Sequence, residues 1–196
     1  MRNDDVILQL YLIRHAESMG NIETEEPFDV MNPPLTDHGF LQAKALSERM
    51  KNVKIDSIIT SPLERAICTA IPISEISGVP IAFEPLLCEK DVCIGGKGFL
   101  HYDESDSDCE IRAEKIIKML LEKHKGQAVA VVTHGEFLQY LLRKAMNIPS
   151  DTEVRFCVYN TSVSKINFRE GKSNKLAFQN DISHLVSLDG DKTEWM

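Results

Sequence analysis

Three short segments of this chain set basic or imidazole side chains at the polar end of an apolar run. Leu10-Tyr-Leu-Ile13 leads into Arg14-His15, residues 55–59 lead into Thr60-Ser61-Pro62 and then Arg65, and residues 128–132 lead into Thr133-His134-Gly135. Two guanidiniums supply planar, bidentate donors of the kind that grips a phosphate. A histidine held among such donors can act as a nucleophile. The residue types thus point to one anionic ligand handled by Arg14, His15, Arg65 and His134. Each signature alone is weak, because an Arg-His pair or a Thr-His-Gly triplet also occurs on ordinary surfaces. The joint pattern, one signature per strand end, carries the weight.

Such convergence needs a fold that brings strand ends together. Apolar runs of strand length alternate with helical patterns along the chain, the signature of an α/β protein. Strands are expected at about 7–13, 55–60, 81–87 and 127–133, the last apolar throughout its middle and therefore central. Thr36 reads as the N-cap of a helix reaching about Lys51. Ser61-Pro-Leu-Glu64 reads as a capping box opening the next helix, which Pro72 should kink or end and Gly78 should close. Residues 88–108 read as irregular. Helices follow at about 109–124 and 137–146, and strand-like alternation returns at 153–159, 163–168 and 175–179, with a turn at Gly171. The expected fold is a single-domain three-layer α/β/α sandwich, with a mostly parallel central sheet and helices on both faces. The domain should span 1–188 and be followed by a polar C-terminal tail, 189–196. In open α/β sheets ligands bind beyond the carboxyl ends of the strands. The helix N-termini after Ser61 and Gly135 would add backbone N–H groups there.

Composition narrows the partners. The 196 residues suit one domain, and 43% hydrophobic with 27% charged residues is ordinary for a globular chain. A net charge of −8 argues against nucleic acid and anionic membranes, so an anionic substrate must meet locally placed arginines. The first residues are too acidic, and reach the first strand too soon, for a signal peptide, and no apolar run approaches a membrane span. Five cysteines without a CxxC pair read as reduced thiols, which places the chain in the cytoplasm. The Asn160-Thr-Ser sequon then reads as chance. The chain is open to forming a homodimer.

Beyond these patterns, the sequence resembles the histidine phosphatase superfamily, in its phosphoglycerate-mutase-like branch. The matching segments are Leu12-Ile-Arg-His-Ala-Glu-Ser-Met-Gly-Asn21, Pro34-Leu-Thr-Asp-His-Gly-Phe-Leu-Gln-Ala43, Thr60-Ser-Pro-Leu-Glu-Arg-Ala-Ile-Cys-Thr-Ala70, Leu87-Cys-Glu89 and Val132-Thr-His-Gly135, in family order. The resemblance implies that His15 is a nucleophile forming a phosphohistidine. It implies that Arg14, Arg65 and His134, with Asn21 and Gly135, bind phosphate or substrate, and that Glu89 is the proton donor. It implies a phosphomonoester hydrolase acting on a small phosphorylated metabolite, with no cofactor and no metal. Two departures stand out. Ala16 replaces the glycine more usual after the histidine, and the family's motif after the acid is missing, since the chain continues Lys90-Asp-Val-Cys-Ile-Gly. Glu104 or Glu110 are the substitutes to weigh against Glu89.

Other chemistries fit less well. A cysteine phosphatase needs arginine six positions beyond its cysteine, and those positions hold Ser74, Ile94, Phe99, Lys115 and Val163. Gly171-Lys172-Ser173 lacks the first glycine of a P-loop, and no histidine pair has zinc-ligand spacing. The two remaining alternatives are a phosphoglycerate-type phosphomutase and a non-catalytic member that binds a phosphorylated ligand. Family mutases carry a longer insert between the acid and the second histidine, and a closing tail. The mouth is expected in loops 22–34 and 90–108, where Lys90, Lys97, Phe28, Phe99 and Tyr102 could meet the rest of a substrate.

Overall fold

The computed structural model describes residues 5–95 and 98–189. Six strands form one sheet: β1 Val6–Arg14, β2 Ser57–Thr60, β3 Ile81–Phe83, β6 Ala128–Thr133, β7 Val163–Arg169 and β8 Lys175–Asp181, in the order β3-β2-β6-β1-β7-β8. The neighbours β3, β2, β6 and β1 run parallel, and β7 and β8 add an antiparallel edge. The mostly parallel sheet expected from the alternation is therefore present. β6, apolar up to its last residue Thr133, lies inside the sheet, with every residue buried.

Strand side chains alternate between faces, and each face has its own core. Leu8, Leu10, Leu12, Val129 and Val131 pack against helices α3 (Asp106–Lys123) and α4 (Gly135–Ala145). Tyr11, Ile13, Ala130 and Val132 point the other way, onto α1 (Asp37–Met50) and α2 (Glu64–Ser77). At roughly 1.5–3 kcal/mol for each fully buried large apolar side chain, neither face could stay bare. Helices on both faces complete the three layers.

Several local expectations change. Thr36 caps α1 as expected, its side chain accepting from Gly39 N–H. Ser61 does not cap α2, whose N-cap is Leu63 with no side-chain bond. Pro72 sits inside α2, which runs on to Gly78 at a φ of 72°. Within residues 81–87, β3 ends at Phe83 and a 3-10 turn over Pro85–Leu87 follows. Residues 88–108 contain a hairpin, β4 Val92–Gly95 with β5 Gly98–His101, and α3 begins at Asp106 behind a Ser105–Asp108 capping box. Residues 153–159 form no strand. Among the described residues no helix is long and apolar enough to cross a membrane. All five cysteines are free. The polar tail expected over 189–196 lies, apart from Asp189, outside the described residues, as does Lys97.

Candidate active site

Strand register brings the three signatures to one place. In the parallel pair β1–β6, Arg14 stands opposite Thr133. The next residues, His15 and His134, therefore leave the sheet side by side, with ring centroids 5.1 Å apart. On the far side of β6, Thr60 pairs with Val132. That delivers Ser61 to His134 and carries the chain into α2, whose first turn bears Arg65. Thr69, one turn further along α2, donates to Arg65 O (2.6 Å) and accepts from Ala16 N–H (2.9 Å), locking α2 to the end of β1.

His15 is almost fully buried, and its Nδ1 lies 2.7 Å from the carbonyl of Ala16. A carbonyl can only accept, so Nδ1 carries the proton and Nε2 keeps its lone pair. Burial, then Arg65 and Arg14, hold the His15 pKa well below the ordinary imidazole value. A neutral imidazole with a free nitrogen suits nucleophilic attack. His134, also fully buried, places Nε2 2.8 Å from Ser61 Oγ. Burial, Arg65 and then His15 likewise keep it neutral.

The two arginines line the same space. Arg14 is fixed from behind by a 2.7 Å bond from Nη1 to Val158 O. Gly135 makes room for it: a Cβ there would stand 3.3 Å from Arg14 Nε and 3.4 Å from its Cζ. Arg14 Nε, Arg65 Nη1 and His134 Nδ1 are buried without a hydrogen-bond partner. Buried donors are normally satisfied, so three together fit an anion bridging them.

Glu89 faces this cluster, since its charge acts on both Arg14 and Arg65. Its Oε1 accepts from Phe137 N–H (2.9 Å) and Lys90 N–H (2.9 Å), and its Oε2 from Glu136 N–H (3.3 Å). The acid thus sits on the first turn of α4. Burial raises its pKa, and those backbone bonds offset the rise only in part. The two substitutes are engaged elsewhere: Glu104 in a buried ion pair with Arg112, and Glu110 3.4 Å from Lys144. Lys90 is tied to Asp106 at 2.6 Å.

Asn21 is exposed, and its Oδ1 accepts from Ser18 N–H (3.0 Å) and from Asn160 Nδ2 (3.2 Å). Asn160 also donates to His15 O at 3.0 Å. Sequence reading missed Asn160, taken there only as a chance sequon, and it missed Ser61 as a partner of His134. Ser61 had a signal, its place directly after β2, the strand beside β6; Asn160, three residues before β7, had none.

The Histidine phosphatase superfamily (branch 1) profile matches residues 10–94 and 97–181 of the chain. A relative from Enterobacter sp. (strain 638), named probable phosphoglycerate mutase GpmB, is 28% identical over 91% of this chain and 95% of its own. Among solved structures, Bacillus stearothermophilus YhfR superposes with a TM-score of 0.73 at 25% identity, over 91% of this chain and 99% of that one. Phosphoserine phosphatase from Entamoeba histolytica, solved as a mutant with phosphoserine, gives 0.72 at 20% identity, over 91% and 100%. The profile spans most of the sheet, all five residues of the cluster and the loop that carries the acid, and on that match the chain belongs to the histidine phosphatase superfamily.

Proposed function

We propose that the chain hydrolyses small phosphomonoesters through a phosphohistidine at His15. The observation that carries this reading is the locked tautomer of His15. Its Nδ1–H is held by Ala16 O, which leaves the lone pair on Nε2, and the two arginines whose charge acts on His15 carry buried, unpartnered donors.

In the first step His15 Nε2 forms a bond to phosphorus while the bond from phosphorus to the ester oxygen breaks. Glu89, protonated, gives its proton to the departing alkoxide. Arg14, Arg65 and His134 hold the equatorial oxygens, where the transition-state charge spreads. In the second step the Glu89 carboxylate takes a proton from water, whose oxygen attacks phosphorus and releases His15. Each role falls to a side chain of the protein, so the reaction as written needs no cofactor and no metal. The ligand class is a small phosphorylated metabolite. The phosphoserine complex of the Entamoeba relative supports that class, although its similarity to this chain is one of fold.

A second reading, a phosphomutase, is favoured by the name of the Enterobacter relative. It shares the first step and differs in the acceptor of the phosphoryl group. The common step is tested by reaction with a phosphate-labelled monoester and rapid quenching without acid. Label should appear on His15 and vanish in His15→Ala, which should also lose nearly all turnover. Label on a serine or cysteine would overturn the mechanism.

A further inference from the structure

Glu89 lies in a loop, and a proton donor must be held to within a fraction of an ångström. β3 ends at Phe83 and the hairpin starts only at Val92, so the sheet reaches this loop at two points before the acid, Thr60 O accepting from Glu84 N–H (2.9 Å) and Thr133 Oγ1 donating to Leu87 O (2.7 Å). A buried ion pair holds the rest. Arg112 of α3 donates Nε to Glu104 Oε1 (2.8 Å) and Nη2 to Glu104 Oε2 (2.6 Å). Its remaining nitrogen, Nη1, donates to the carbonyls of Leu86 (2.9 Å) and Cys88 (2.6 Å), the latter immediately before Glu89.

Glu104 holds the other side. Its backbone N–H donates to Asp91 Oδ1 (2.8 Å), and its carboxylate accepts from Asp91 N–H (3.4 Å). Asp91 sits at a φ of 63°, a left-handed conformation that needs such support in a residue other than glycine. A third contact closes the frame. The Arg112 guanidinium lies 3.8 Å over the ring of Phe137, and it is the Phe137 N–H that binds Glu89 Oε1.

We propose that the Arg112–Glu104 pair positions Glu89, gripping the chain on both sides of the acid and packing on the residue whose N–H orients its carboxylate. The proposal rests on the reading of Glu89 as the proton donor. Arg112 does not touch the Glu89 carboxylate; it acts through the backbone and through Phe137. A buried ion pair is weak evidence of stability, since apolar residues of equal volume often serve as well. Here the donors converge on the segment that carries the acid. Lysine could keep the charge of Arg112 but not its planar fork, which serves the carboxylate and two carbonyls together.

The test uses the full chain, with Arg112→Lys and Glu104→Gln, and three readouts: kcat/KM on an alkyl phosphate, kcat/KM on p-nitrophenyl phosphate, and inhibition by vanadate. General acid catalysis contributes about 10²–10⁴-fold, and a misplaced acid should forfeit about tenfold or more of it on the alkyl ester. The nitrophenyl ester leaves without much protonation, so it and vanadate affinity should change by less than about threefold. Equal losses on both esters, or wild-type behaviour of Arg112→Lys, would overturn the proposal. If Arg112→Lys fails to fold, Glu104→Gln carries the same readouts; if neither folds, the pair is structural and the proposal fails. A wild-type chain that never labels His15 overturns the proposed function itself. A labelled His15 with unselective variants overturns only the positioning role.

Discussion

The hydroxyl of Ser61 stands 2.8 Å from Nε2 of His134, between two buried residues whose strands are neighbours in the sheet. The same oxygen accepts from Leu63 N–H at 3.3 Å, and of the two acceptors in reach of its proton, His134 Nε2 at 2.8 Å is nearer and stronger than the weakly accepting Cys88 Sγ at 3.9 Å. Donation to Nε2 puts the ring proton on Nδ1, the atom without a protein partner, where it can meet a phosphoryl oxygen. Ser61→Ala should therefore weaken the phosphate pocket as a whole. A neutral hydrogen bond contributes about 1 kcal/mol, so kcat/KM should fall by roughly five- to tenfold. The loss should be similar for alkyl and nitrophenyl esters, and vanadate should bind more weakly. Undiminished vanadate inhibition would show that Ser61 does not set the tautomer of His134.

The pH profile follows from two opposed shifts. His15 must be neutral to attack, and burial with two arginines holds its pKa well below the ordinary value of 6.5. Glu89 must be protonated to donate, and burial raises its pKa above the ordinary 4.5. kcat/KM should rise with pH as His15 loses its proton and fall as Glu89 loses its own, giving a bell-shaped profile for alkyl esters. Glu89→Gln should be slow on alkyl esters and lack the falling limb, because the amide does not titrate. A falling limb retained unchanged in Glu89→Gln would assign it to another group.

Gly39 stands in the first turn of α1 against the loop behind His15, and a Cβ there would meet Glu17 O at 2.0 Å. The obstacle is backbone, tied down by Thr36 N–H to Glu17 O (3.1 Å) and by Glu17 N–H to Gln42 Oε1 (2.9 Å). Gly39→Ala gains about 1 kcal/mol of helix propensity, but overpacking at such a contact costs about 1–3 kcal/mol. The net effect should be a Tm lowered by a few degrees, at about 2–4 °C per kcal/mol for a chain of this size. A raised Tm in a thermal melt would mean that the loop yields freely.

The strand ends and the four residues they carry were legible because apolar runs and their polar stops are local signals. What failed was local too, where a side chain answered a distant call instead of a near one. Ser61 has the sequence of a cap, yet its hydroxyl is taken by His134, just past the end of a strand and 73 positions away. Residues 153–159 alternate like a strand, but side chains supply their backbone partners: Gln139 pairs with both N–H and C=O of Phe156, and Asn180 accepts from Tyr159 N–H. The acidic stretch before residue 109 reads as loop, although Ser105 and Asp108 bond reciprocally and start α3 three residues early. Asn160 and Arg112 act on the backbone beside His15 and Glu89, a role that leaves no motif in a single sequence.

The last prediction separates hydrolysis from isomerisation. A mutase must keep water from its phosphohistidine while the intermediate turns over in the site. The segment between Glu89 and His134 is where the family's mutases carry a longer insert. Here it holds the hairpin β4–β5 and α3, which spans 18 residues, 106–123. The hairpin is short: Phe99 packs on Leu63, Cys88 and Val92, while Leu100 and, just past the hairpin, Tyr102 are exposed. The α3 helix is committed to the core through Ile116, Ile117 and Leu120. Little chain is left in this segment to shut out water, so phosphohistidine-15 should hydrolyse readily. Phosphate release from a general monoester should outpace conversion of 3-phosphoglycerate to 2-phosphoglycerate, both followed on the same preparation. If isomerisation instead leads by orders of magnitude, hydrolysis is the side reaction, and the shield over His15 comes from outside the segment between the acid and the second histidine.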